Sequence, residues 1–165
     1  MYENFEQIDG THPWREVSEE GYEDYPVQYR AGGRVVYFNY DLAKEMELIS
    51  KSHLRKMNAK LEKAILKAFS LQILNEHDWI HKEDIKKDYL KDRLYMATRY
   101  LQLQHENKQG KTSGDGRSIW NGYIKAKHLT FDVSSCGTGT TILSPGAQEA
   151  DQYLKTGDES FGYAS

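Results

Sequence analysis

The feature that most constrains this fold is a glycine-punctuated stretch from Lys111 to Gly146, in which two β-rich runs are bordered by turn-forming residues. Ser118-Ile119-Trp120-Asn121-Gly122-Tyr123-Ile124 reads as one strand, with Gly122 marking a possible bulge. Leu129-Thr130-Phe131-Asp132-Val133 reads as its partner, with Lys125 to His128 as the turn. Beyond them, the glycines between Cys136 and Gly146 cannot continue a regular sheet. An antiparallel β-hairpin flanked by two glycine turns is expected, and turns of this kind suit contact with phosphate.

Upstream, the pattern is mostly helical. Arg34-Val35-Val36-Tyr37-Phe38 is β-rich and short enough for a single strand. Asn39 or Asp41 then caps a helix over Leu42 to Ile49, with Glu45 and Glu47 early in it. The clearest helix follows: Leu54, Met57, Leu61, Ile65, Ala68 and Phe69 recur at three- and four-residue steps, with Lys56, Lys60, Lys63 and Lys67 mostly opposite. A turn over Asn75 to His81 precedes a further helix capped near Glu83 or Asp84. Its stripe is Leu90, Leu94, Ala97 and Leu101, with Tyr89, Arg93, Met96 and Tyr100 beside it. Residues 1–33 keep no period and are expected to form an irregular acidic and aromatic arm, while 34–165 form one domain. Within it, helices occupy about 41–105 and the glycine-rich hairpin region about 111–146; Asp151 to Ser165 starts a helix without an obvious cap. The fold class is α+β, with helices first and a small antiparallel sheet after them.

Composition excludes several function classes. A net charge of -3 gives no global nucleic-acid signature. Acids dominate from Glu3 to Asp24 and bases from Lys51 to Lys67, which reads as two solvated faces or as an acidic arm lying along a basic helix. The single Cys136 excludes an intrachain disulfide and a multi-cysteine zinc site. No apolar run reaches the length of a membrane span and no apolar signal core opens the chain, so a soluble cytoplasmic protein is expected. Twelve Tyr, five Phe and three Trp supply much of the apolar area, in a form suited to contact with a ligand or another domain.

Two constellations fall at the ends of the hairpin. Ser113-Gly114-Asp115-Gly116-Arg117 combines glycines that let backbone amides approach an anion with a guanidinium fork matched to phosphate oxygens. Ser135-Cys136-Gly137-Thr138-Gly139-Thr140-Thr141 offers small side chains, hydroxyls and two further glycines. Neither is a P-loop, since no Gly-Lys-Ser/Thr follows, and neither opens a Rossmann unit.

The string Gly114-Asp115-Gly116-Arg117-Ser118-Ile119, then Gly122, Phe131-Asp132-Val133 and Gly137-Thr138-Gly139-Thr140-Thr141, resembles the SelO (YdiU) family. These are pseudokinase-like protein adenylyltransferases whose segments read Gly-Asp-Gly-Arg-Ala and Leu-Lys-Gly-Ser-Gly-Arg-Thr. Phe38-Asn39-Tyr40-Asp41-Leu42-Ala43 also looks like the start of the family's first helix, so the likeness spans Tyr37 to Ser144 and is specific from Gly114 to Thr141. The resemblance implies part of a protein-kinase-like N-lobe that binds ATP with Mg²⁺. Gly114, Gly116 and Arg117 would contact the nucleotide, joined by the Gly137 and Gly139 turn. Cys136 stands where the family has its nucleotide-binding lysine, Thr140 where it has an arginine and Ile142 where it has a proline. The family's second Asp-Gly is not recognisable between Gln148 and Asp151, and its catalytic aspartate and metal-binding Asn and Asp would lie beyond Ser165. An N-terminal lobe without autonomous catalysis is expected, partnered by a nucleotide and by a protein substrate or a C-terminal lobe.

Other readings compete. A non-catalytic protein-interaction module would keep the fold without the chemistry. In His77-Asp78-Trp79-Ile80-His81, two imidazoles at i and i+4 could hold a metal with His53 or His105, as in a metal-dependent hydrolase. Cys136 could serve as a nucleophile if His128 approached it across the hairpin.

Overall fold

The computed structural model describes residues 2–17, 22–76, 78, 85–98 and 117–143. Strands β1 (Tyr22–Tyr25), β4 (Tyr95–Thr98), β5 (Ser118–Ala126) and β6 (Leu129–Cys136) form a four-stranded antiparallel sheet in the order β1-β4-β5-β6. Strands β2 (Val27–Tyr29) and β3 (Leu71–Ile73) form a separate antiparallel pair, and helices α1 (Tyr40–Glu45) and α2 (Ala59–Phe69) lie between them in sequence. The α+β class follows directly from these elements.

The hairpin forms where the sequence places it, with a tighter turn at Lys127 and His128 and a longer second strand. Its bulge has a clear purpose. Pairing passes from Trp120↔Ser134 to Gly122↔Val133, which leaves Asn121 as the extra residue. Ile119 and Ile124 are an odd number of positions apart, so an unbulged strand would point them to opposite faces; the extra residue returns both to one buried face. Gly122 has φ +147°, and a Cβ there would stand 3.1 Å from the carbonyl oxygen of Gln7. Glycine is required by that close approach.

α2 begins where Asn58 accepts a hydrogen bond from the Leu61 amide, and it buries Leu61, Ile65 and Ala68 while Lys60, Lys63 and Lys67 stay exposed. Its last carbonyls have partners: Asn121 Nδ2 donates to Ala68 O at 3.3 Å, and Lys91 Nζ to Lys67 O at 3.0 Å. α2 packs with Phe5, Ile8, Ala43, Leu48, Ile49, Ile124 and Val133 into one cluster. A second cluster joins Tyr25, Val27, Leu71, Ile73, Tyr95, Ala97 and Ile119.

Several expectations are corrected. The opening residues contribute 3-10 turns at Glu3–Gln7 and Pro13–Glu16 besides β1 and β2, and Phe5 and Ile8 enter the main cluster. Segments this short carry no period to read. His12 fixes them to the sheet: its ring stacks on Trp120 at 4.4 Å, Nδ1 accepts from the Trp14 amide, and Nε2 lies 3.0 Å from Asp132 Oδ1. Arg34 to Phe38 is not a strand; Val36 and Tyr37 are exposed and pair with no neighbour ladder, so β propensity alone did not suffice. α1 stops at Glu45, and Glu47 at φ 56° turns the chain before Leu48 and Ile49 enter the core. The helix expected from a cap near Glu83 or Asp84, with its stripe of Leu90, Leu94, Ala97 and Leu101, is, where described, a 3-10 turn at Lys87–Tyr89 and strand β4. Tyr95, Met96 and Ala97 are all buried because β4 sits between β1 and β5. A strand buried on both faces loses the alternation that distinguishes it from a helix. The C-terminal helix expected from Asp151 lies outside the described residues.

Leu61 is fully buried and Leu54 is 78% exposed, although both fall on the stripe read from the sequence. Leu61→Ala is expected to cost about 2–5 kcal/mol and Leu54→Ala less than about 0.5 kcal/mol, measured by urea unfolding.

Candidate functional site

The hairpin ladder ends at Ser118↔Cys136, and one residue further out Arg117 becomes a hub. Its carbonyl accepts from the Gly137 amide at 3.0 Å, the Thr138 amide at 3.4 Å and Thr138 Oγ1 at 3.4 Å. Gly137 at φ +75° and Gly139 at φ +125° then carry the chain across to β3. There the Ile73 amide donates to Thr138 O at 2.7 Å and Asn75 Nδ2 to Thr140 O at 3.0 Å. Asn75 is held by reciprocal bonds with Asp78, whose amide donates to its Oδ1 and whose Oδ2 accepts from its amide. A Cβ on Gly139 would lie 3.3 Å from Ile73 Cβ, so this crossing is tight as well as left-handed.

Between this crossing and the β2–β3 pair lies a cleft of about 790 Å³. It is lined by Gln28, Tyr29, Arg30, Ala31, Leu71, Gln72, Lys86, Tyr89, Arg117, Gly137, Thr138, Gly139 and Thr140. Arg30 follows β2 and is fixed through its backbone: its amide donates to Ser70 O at 2.8 Å, and Ser70 Oγ donates to its carbonyl at 2.6 Å. The buried Gln28 accepts from the Lys86 amide at 3.1 Å and donates to Gln72 Oε1 at 3.4 Å. Tyr29 meets Tyr89 edge-on at 5.9 Å, and Lys86 Nζ sits 5.5 Å from the centre of the Tyr89 ring. Among the described residues the lining holds three cations and no carboxylate. Such a surface attracts anions, and its guanidinium groups match phosphate oxygens.

Three of the sequence-derived site residues, Arg117, Gly137 and Gly139, meet at this cleft; Gly114 and Gly116 lie outside the described residues. The amides of Gly137 and Thr138 donate to Arg117 O, so these two turn the chain and do not offer an open amide cradle. Sequence reading missed Arg30, Lys86, Tyr29 and Tyr89. Lys86 fell inside an apparent helix and Arg30 after a strand too short to register; the Lys86 amide bond to Gln28 and the Ile73–Thr138 bond across the crossing bring them to the Arg117 side.

The competing centres separate in space. His128 sits in the hairpin turn while Cys136 pairs with Ser118 at the opposite end, so the two cannot meet. Cys136 is exposed, accepts from Ser118 Oγ at 3.3 Å and does not line the cleft. His53 Nε2 is bonded to the Tyr2 hydroxyl at 2.9 Å, whereas His77, His81 and His105 lie outside the described residues. Among the described residues no group of three or more His, Cys, Asp or Glu could hold a metal, and no helix is long and apolar enough to cross a membrane. Comparison of the chain with protein-family models, curated proteins and solved structures finds no match.

Behind the cleft, the crossing is anchored by Tyr25. Its hydroxyl donates to Glu76 Oε1 at 2.8 Å and accepts from the Ile142 amide at 2.7 Å. Burial, with Glu76 adding to it, raises this phenol well above its ordinary 10.0, and burial pushes Tyr95 up to about 12. In the unfolded chain both ionise near 10.0, while the folded chain keeps their protons. Stability is therefore full below that pH and falls as the pH rises through it. Tyr25→Phe is expected to cost about 1–3 kcal/mol at neutral pH by orphaning the Ile142 amide. It should also flatten, without abolishing, the alkaline loss of stability in urea melts.

Proposed function

We propose that this chain is a nucleotide-binding lobe, with ATP as its ligand, as its resemblance to the SelO adenylyltransferases implies. The observation that carries the reading is the convergence of Arg30, Lys86 and Arg117 on a cleft edged by Gly137 and Gly139. Three cations would hold the phosphates, and the Tyr29–Tyr89 pair offers an aromatic surface to a base. The reading concerns binding: guanidinium, ammonium, hydroxyl and phenol groups hold a phosphate ester, and the described cleft contributes those. The lost lysine position at Cys136 is offset by cations from Arg30 and Lys86, which come from other segments. A cytoplasmic setting, where ATP is abundant, belongs to the same reading.

The resemblance also implies Mg²⁺. A hard divalent cation takes oxygen ligands, chiefly carboxylates, and the described lining has none. The resemblance places the metal-binding Asn and Asp beyond Ser165, and the described cleft would hold the nucleotide's phosphates through its cations.

A second reading, a protein-docking module, draws on the exposure of Val36 at 86%, Tyr37 at 81% and Leu54 at 78%. If it holds, Tyr37→Ser with Leu54→Ser abolishes capture of a partner while ATP binding persists.

In an NMR titration, millimolar ATP is expected to shift the amides of Arg117, Gly137 and Gly139. Arg117→Ala should weaken the affinity about tenfold or more, the worth of a charge-assisted contact. Unmoved amides at saturating ATP would sink the nucleotide reading.

A further inference from the structure

We propose that Lys91 is a Schiff-base lysine: it lines a second cavity, which admits a small neutral aldehyde and lets the amine condense with it. This cavity, of about 340 Å³, shares no residue with the nucleotide cleft. It lies between the Glu3–Gln7 turn, the second half of α2 and the chain entering β4. Phe5, Ile8, Ala64 and Ala68 give it an apolar wall that suits a hydrocarbon body. Lys67 and Arg93, also in the lining, stand 3.7 Å from Glu6 and 3.6 Å from Asp9, so the cavity favours a ligand without net charge. Lys91 is held at both ends. Its amide donates to Val27 O at 2.9 Å, and its Nζ donates to Lys67 O at 3.0 Å in the last turn of α2.

The amine needs a free lone pair to attack a carbonyl. Burial lowers the Lys91 ammonium below its ordinary 10.5, with Lys67 adding to the effect and Asp92 opposing it. The unprotonated Nζ then attacks the aldehyde carbon and gives a carbinolamine. The former carbonyl oxygen leaves as water with the two amine hydrogens, and a C=N bond remains. Tyr95 lines the same cavity, lies within electrostatic reach of Asp9 and Arg93, and keeps its phenolic proton up to about 12, so it supplies a hydrogen-bond donor there. The surroundings of Nζ favour an aldehyde over other electrophiles. A protonated imine keeps both a positive charge and one N–H for Lys67 O, at the negative end of the α2 dipole. Acylation or carbon dioxide would leave a neutral or anionic group at that helix end.

The experiment is labelling of the whole chain with benzaldehyde and cyanoborohydride near neutral pH, read by peptide mass mapping. The expected result is benzylation of Lys91 that saturates with aldehyde. At low aldehyde it should run on the order of tenfold faster than at Lys60 and Lys63, which α2 leaves in solvent. Benzyl alcohol carries the same ring without the carbonyl, and it should slow labelling at Lys91 while leaving Lys60 and Lys63 unchanged. Both measurements use the native chain, so neither depends on a variant that folds. Equal rates at the three lysines would overturn the proposal by removing the reactive amine. Labelling of Lys91 that benzyl alcohol does not slow would overturn it too, since the cavity would then take no part.

Discussion

The hydrogen bond from the Ile73 amide to Thr138 O, seconded by Asn75 Nδ2 on Thr140 O, is the tie on which the rest of the arrangement depends. β2 and β3 are three residues each, too short to stand alone. By adding the Gly137–Thr140 segment alongside β3, the chain joins that small pair to the end of the long hairpin. The cleft is the space this junction leaves. Tyr25 braces the same junction from behind, through Glu76 and Ile142.

Pro26 explains how one run of residues serves two sheets. β1 ends at Tyr25 and β2 begins at Val27, with the proline between them. Lacking an amide proton, Pro26 cannot extend a ladder as a donor, but its carbonyl accepts from the Leu74 amide at 2.9 Å. The chain thus leaves β4 and takes up β3 within one residue. Asn121 does similar work on the opposite side. It is fully buried, its side chain reaches the end of α2, and its carbonyl accepts from the Gly10 amide at 2.6 Å.

The hairpin and α2 were legible in the sequence because their signals are local: alternation over Ser118 to Val133, and a repeat of three and four through Leu61, Ile65 and Ala68. β4 was not, since burial on both faces erases alternation and leaves apolar residues that also satisfy a helical spacing. β1 and β2 escaped for a different reason: each is set by a partner far along the chain, Tyr95 to Thr98 or Leu71 to Ile73, and not by its own pattern. The site divides in the same way. Arg117, Gly137 and Gly139 announce themselves by turn chemistry, whereas Arg30 and Lys86 acquire meaning only once the strands have paired.

The cleft's cations stand at positions 30, 86 and 117, on segments that only the completed fold brings together. In the unfolded chain they are far apart and offer a polyanion no common site. A ligand held by all three acts as a reversible cross-link between the ends of the fold, and by mass action it stabilises every strand pairing that assembled the cleft. Any such ligand would couple its own binding to the folding of the chain.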